Sequence, residues 1–250
     1  MSSTNANRNS AVPDGARFAT TRWSLVLAAR NQAAPQAREA LAVLCRTYWY
    51  PLYAYIRHRG YDVHHAQDLT QDFFTRLLEK DSLATVDRDK GKFRSFLLAA
   101  CKHFLANAYD RAQAQKRGGG KILGSLDFNA GEGRYSREPA HDLTPEKLFE
   151  RRWAMTLLHQ VLDDLRAEYE QAGKGSVFDR LKSVLSGDSD VAPYSQLAGE
   201  LNTSEAAVKM TVHRLRRRYR ERLRQEIAQT VGNPAHVEQE IRDLFAALRP

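Results

Sequence analysis

The stretch from Tyr194 to Arg224, YSQLAGELNTSEAAVKMTVHRLRRRYRERLR, restricts what this chain can fold into more than any other. Tyr194, Leu197, Ala198 and Leu201 recur at i, i+3, i+4 and i+7 and so share one face of a first helix. Asn202 and Thr203 follow, and asparagine tolerates the left-handed backbone of a tight turn. Ser204 stands where an N-cap belongs, and Glu205 falls in the next first turn, where negative charge suits the helix dipole. The second helix carries Val208, Val212, Leu215, Tyr219 and Leu223 on its inner stripe. Outside that stripe lie Lys209, Met210, His213, Arg214, Arg216, Arg217 and Arg220. Helix, short turn and cationic second helix make up the helix-turn-helix plan, in which the second helix enters the major groove of DNA.

A solvated basic helix is the plainer alternative. Such faces usually mix signs for i,i+4 support. Here Glu221 is the single acid between Lys209 and Arg224, against Lys209 and seven arginines. The whole chain has a formal net charge of +8, which favours a polyanionic partner such as nucleic acid. Its two cysteines, Cys45 and Cys101, sit in apolar helical stretches without zinc-site spacing and are expected to fill core in a reducing cytoplasm. The opening MSSTNANRNSAVPDGA has no apolar stretch of signal-peptide type and is expected to be disordered. No apolar run nears the roughly 20 residues of a membrane span, so a soluble, cytoplasmic chain without membrane insertion is expected.

Upstream, the periodicity is helical throughout. Thr21 can cap a short helix with Trp23, Leu25, Val26 and Leu27, and Pro35 suits the first turn of the next, which runs towards Gly60. Pro51 should kink or interrupt that helix. Asp62 is a plausible cap for a third helix with Ala66, Leu69, Phe73 and Leu77 inside and Asp68, Gln71, Asp72, Arg76 and Glu79 on its other faces. A charged turn broken by Gly91 leads into a helix that buries Phe93, Phe96, Leu97, Ala100, Phe104 and Ala108. Its exterior combines cations (Arg94, Lys102, Arg111) with His103, Asn107 and Tyr109, as single-stranded bases require for charge, stacking and edge contacts. From Gly118 the chain loses all period and reads as a linker until Thr144 and Pro145 start a new helix. That helix buries Leu148, Trp153, Leu157, Val161 and Leu165, and glycines 173 and 175 break it. Phe178, Leu181, Val184 and Leu185 form a further short helix, and Pro234 to Leu248 a last amphipathic one.

Two segments in this order resemble the extracytoplasmic-function sigma factors of bacterial RNA polymerase, in particular a longer subgroup with a C-terminal extension. DLTQDFFTRLLE followed by KFRSFLLAACKHFLANAYDRAQAQKR is similar to the family's second region, and YSQLAGELNTSEAAVKMTVHRLRRRYRE to its fourth. The resemblance implies that Asp68, Gln71, Asp72, Phe74 and Arg76 bind the β′ clamp helices of core polymerase. Lys102, His103, Ala106, Asn107 and Arg111 would hold the opened promoter strand. Ser204, Lys209, Met210, His213, Arg214, Arg217, Arg218 and Arg220 would contact the duplex element. The β flap region of polymerase, promoter DNA, and a separate anti-sigma factor or other regulator complete the implied partners. Met210 stands where the family commonly has a small polar residue, and Asn202 where it often has glycine.

The expected architecture is all-α, with two helical domains joined by a flexible linker. A disordered N-terminus (1–17) precedes a region-2-like domain (18–118), a linker (119–143), a region-4-like domain with the helix-turn-helix (144–232) and an amphipathic extension (233–250). The extension would fold back on the region-4-like domain or bind a regulator. No catalytic residue, cofactor or metal is expected. A stand-alone helix-turn-helix regulator is the closest alternative, and it leaves the acidic helix unexplained. A metal hydrolase built on His58, His64, His65 and Asp68 is more distant, since no complete ligand set is apparent. One globule with the arginine-rich helix hidden inside it would rule out the sigma-factor reading.

Overall fold

The computed structural model describes residues 26, 27, 29, 35–79, 83, 86, 87, 91–114, 126–137, 143–186, 192–231 and 233–249, except for the side chains at 35–38, 78, 79, 110–114, 137 and 186. The expected N-terminal disorder and the short helix capped by Thr21 lie largely outside these residues. Among the described residues every regular element is a helix and no strand is present. The helices are α1 Pro35–His58, α2 Val63–Glu79, α3 Phe93–Ala114, α4 Phe128–Arg137 and α5 Pro145–Gln171, then α6 Gly175–Leu181, α7 Ser183–Ser186, α8 Tyr194–Glu200, α9 Glu205–Thr230 and α10 Val237–Leu248. A 3-10 turn, Pro234–His236, leads into α10.

The first core is built around α1. Every residue from Tyr50 to Ile56 is buried, which requires a helix covered on all sides. The cover is α2, α4 and α5. Pro51 does not interrupt α1, which is continuous from Pro35 to His58. The reason is tertiary. An interior proline costs about 3 kcal/mol, but Tyr48, Leu52, Tyr53 and Ile56 flank it at 1 % exposure or less. Each such side chain contributes roughly 1.5–3 kcal/mol on burial, so packing outweighs the missing hydrogen bond.

Local chemistry at the helix ends follows the sequence closely. Asp62 accepts the His65 N–H at 2.9 Å and starts α2. Thr144 accepts the Lys147 N–H and starts α5, with Pro145 in the first turn. The other end of α5 closes on Gly173 at φ 69°, with Lys174 N–H bonded back to Tyr169 O and Gly173 N–H to Glu170 O. That reciprocal pair satisfies carbonyls the last turn would otherwise leave open. The Cys45 and Cys101 thiols are pushed up to about 12 by burial, as core-filling thiols should be.

Part of the span read as a period-less linker holds the ten-residue helix α4. Asp127 accepts the Ala130 N–H at its start. Phe128 meets the Trp49 and Tyr53 rings at 5.5 and 5.7 Å. A side chain at Gly131 would come within 2.8 Å of the Trp49 ring, so glycine is what lets the two helices approach. Glu132 takes the Arg57 guanidinium through both oxygens and accepts the Tyr53 hydroxyl.

Two apolar clusters organise the rest, and two long helices pass through both. The first cluster combines α1–α3 with Phe149, Trp153, Leu157 and Val161 of α5, Leu223 and Ile227 of α9, and Val237 and Leu244 at the C-terminal end. The second joins Leu165 of α5 to Phe178, Leu181, Val184, Leu197, Ala198, Val208, Val212 and Leu215. Residues 144–232 are thus shared between the two clusters. Within the extension, α10 packs mainly on α5, with α9 beside it.

Candidate nucleic-acid interface

The α8–α9 pair begins from Leu197 and Ala198, buried at 4 % and 7 % exposure, which seat α8 on the second cluster. The turn that follows is closed by backbone. Thr203 N–H bonds to Ala198 O and Asn202 N–H to Gly199 O, with Asn202 itself at φ 49°. This is the left-handed helix ending in which asparagine is the usual substitute for glycine. Ser204 then accepts the Ala207 N–H and caps α9. Val208, Val212 and Leu215 turn inward at 2 % exposure or less.

This leaves two adjacent outward rows on α9. Lys209, His213, Arg216 and Arg220 form one, and Met210, Arg214 and Arg217 the other, all exposed. Ser204, ahead of them, is exposed too. The arginine-rich helix is therefore at the surface. Lys209 pairs with Glu205 at 2.8 Å and Arg217 with Glu221 at 3.5 Å, both at i,i+4. Exposed pairs of this kind hold their partners by less than about 1 kcal/mol, so an incoming phosphate can displace them. Met210, 54 % exposed, puts a flexible apolar contact in the middle of the face.

Arg218 is placed differently. It is half-buried and donates to Glu168 of α5 at 2.8 Å, while Arg222 reaches the other oxygen of the same carboxylate, also at 2.8 Å. Burial pushes the Glu168 carboxyl up, but the hydrogen bonds from Arg218 and Arg222 outweigh it and leave it lowered. Glu168 thus fixes α9 against α5 and turns Arg218 away from the exposed rows. The sequence reading missed Glu168, because its partners are 50 and 54 residues away and no local spacing marks the contact.

A second polar face lies on α3. Lys102, His103, Ala106 and Asn107 are all exposed and share one side of the helix at i,i+3 and i,i+4 spacing. Arg111 is within α3, but its side chain lies outside the described residues. Lys102 is engaged by Glu146 at 2.9 Å, and that hydrogen bond holds the glutamate's carboxyl below its ordinary value. Arg94 departs from the expected cationic exterior. It is 5 % exposed, with its guanidinium over the Trp153 ring at 3.9 Å, because it lies where α3, α5 and α10 meet.

On α2, Asp68 is exposed and Gln71, Asp72 and Arg76 are half-buried, with the Arg76 guanidinium over the Phe104 ring at 5.0 Å. Phe74 does not join them. At 1 % exposure it packs edge-on against Phe73 within the first cluster, so its side chain offers no surface to a partner. The periodic reading missed this because α2 buries a stripe widened by Thr70 and Phe74. The histidines stay apart as well. His58 lies 2.8 Å from Leu143 O, and His65 contacts Asp62 at 2.5 Å. Among the described residues no group of three or more His, Cys, Asp or Glu side chains is placed to hold a metal ion.

The fold and this surface define an all-helical chain that presents a cationic helix to solvent. No protein-family model, curated protein or solved structure matches the chain. Among the described residues no helix is long and apolar enough to cross a membrane.

Proposed function

We propose that the chain is a promoter-specificity subunit of the sigma type, cytoplasmic, that binds core RNA polymerase and promoter DNA and contributes no bond chemistry of its own. The observation that carries this is the pair of outward rows on α9, where Lys209, Met210, His213, Arg214, Arg217 and Arg220 face solvent behind a capped, tightly turned helix pair. Such a helix-turn-helix fits the major groove, with base edges met by the N-terminal half of the helix and phosphates by the arginines beyond it. Two further faces favour a sigma factor over a stand-alone regulator. Asp68, Gln71 and Asp72 give α2 a polar, acidic face, poor for DNA and good for a protein. Lys102, His103, Ala106 and Asn107 give α3 a separate face suited to an opened strand. In this reading the first core grips polymerase and holds unstacked bases, while the second reads intact duplex. Binding of flipped bases offsets an opening cost of about a few kcal/mol per base.

Capture of core polymerase tests the reading, with Asp68→Lys and Asp72→Lys combined as the control. Capture by the wild type and its loss in the double variant are expected, together with run-off transcription from genomic templates. If the wild type captures no polymerase yet still binds duplex DNA, the chain is a stand-alone regulator instead.

A further inference from the structure

The last turn of α5, the segment that follows it and α9 enclose a cavity of about 380 Å³, whose polar lining is Glu168, Tyr169, Lys174, Thr211 and Arg214. Two of these side chains are cations, and both are exposed. Among the described residues neither Lys174 nor Arg214 is paired with a carboxylate, although Arg166, Arg180, Lys182, Arg217 and Arg218 of the same segments all are. The acid in the lining is already taken. Glu168 accepts from Arg218 and Arg222, so it does not repel an incoming anion as a bare carboxylate would.

Lys174 is held in place by its backbone. Its N–H bonds to Tyr169 O at 2.8 Å, behind Gly173 at φ 69°, so the ending of α5 itself brings the lysine to the cavity. Tyr169 packs its ring on Phe178 at 5.6 Å, and burial pushes its hydroxyl above its ordinary value, so that it remains a donor. On α9, Arg214 stands at the edge of the outward face. Thr211, one turn earlier and further round the helix, is half-buried and donates to Ala207 O at 2.8 Å. A helix in the major groove meets base edges at the middle of its outer face and the sugar–phosphate walls at its margins. The cavity lies beside one margin of α9, where such a wall passes.

We propose that this cavity seats one backbone phosphate of the duplex, held jointly by Lys174 and Arg214 with the Tyr169 hydroxyl as a further donor. The inference rests on the duplex-binding part of the proposed function and adds a contact outside the helix pair. It makes Lys174 a positioning residue, because a phosphate fixed at the end of α5 sets the angle at which α9 lies in the groove. It also gives Arg214 to the backbone and leaves base edges to the row that begins with Lys209 and His213.

The test titrates full-length protein with two labelled duplexes of unrelated sequence at several salt concentrations. Lys174→Ala is expected to weaken binding about fivefold at low salt, and equally for both sequences, as the loss of a phosphate contact does. Lys174→Arg should bind like wild type, and so should Lys182→Ala, whose ammonium is held by Asp179. The salt slope of Lys174→Ala/Arg214→Ala should fall by roughly 0.9 in total, the value of one contact. A fall of twice that amount gives each cation its own phosphate and overturns the shared seat. Wild-type affinity and slope in Lys174→Ala overturn it too, while duplex binding by the wild type still supports the helix-turn-helix reading. Inorganic phosphate is the second probe. If it raises the melting temperature of the wild type but not of Lys174→Ala, and duplex binding ignores the substitution, the cavity takes a free anion instead. A wild type that binds no duplex overturns the seat and the duplex reading together.

Discussion

Glu132 shows how much one side chain outside any recognised motif can organise. It ties α4 to α1 through Arg57 and Tyr53, with its carboxylate 23 % exposed and the guanidinium 19 %. The Arg57 hydrogen bond is the largest cause holding the Glu132 carboxyl below its ordinary value. A lowered carboxylate stabilises the fold fully above its unfolded pKa, about 4.3, and the contribution is lost as pH falls through the folded value. Glu132→Gln is therefore expected to cost about 1–3 kcal/mol at pH 7 in urea unfolding. The difference from wild type should shrink once the pH falls below the unfolded value. A deficit that is constant with pH would mean that the glutamate acts only through its shape. Arg94 is the opposite kind of residue: local sequence points it outward, yet it is buried because distant elements cover it. Those elements include α10, 146 residues away.

At the scale of elements, α9 and α4 differ in how legible they are. The cap at Ser204, the turn at Asn202 and the inner stripe of α9 all follow from nearest-neighbour rules, which local backbone chemistry enforces. α4 contains two glycines and no apolar period, so nothing local marks it; it exists because Phe128 and Glu132 find partners on α1. Within α9 the arginines are not equivalent. Arg217 is exposed, whereas Arg218 is held by Glu168. In duplex-binding titrations against salt, Arg217→Ala should reduce the slope by roughly 0.9, the value of one phosphate contact. Arg218→Ala should leave the slope nearly unchanged while lowering thermal stability. Equal slope changes for both would show that Arg218 leaves Glu168 to meet DNA.

Taken whole, the molecule is joined through α5 and α9, each of which contributes to both apolar clusters. Damage to either cluster should therefore reach the other. Leu244→Ala removes a side chain at 0 % exposure and should cost about 2–5 kcal/mol. Calorimetry of this variant is expected to show a single transition at lower temperature, with calorimetric and van't Hoff enthalpies in agreement. Two resolved transitions would mean that the clusters unfold independently. By itself the sequence determined the helical class, the capped helix pair and the surface position of the basic stripe, since each depends on contacts within a few residues. Only the tertiary structure decided that a helix stands inside the supposed linker, that Arg218 is held by Glu168 and Arg94 is buried, and that the C-terminal helix lies over the head of α3. Those outcomes depend on partners 50 to 151 residues apart, and the spacing of residues along a chain does not encode which distant carboxylate will meet which cation.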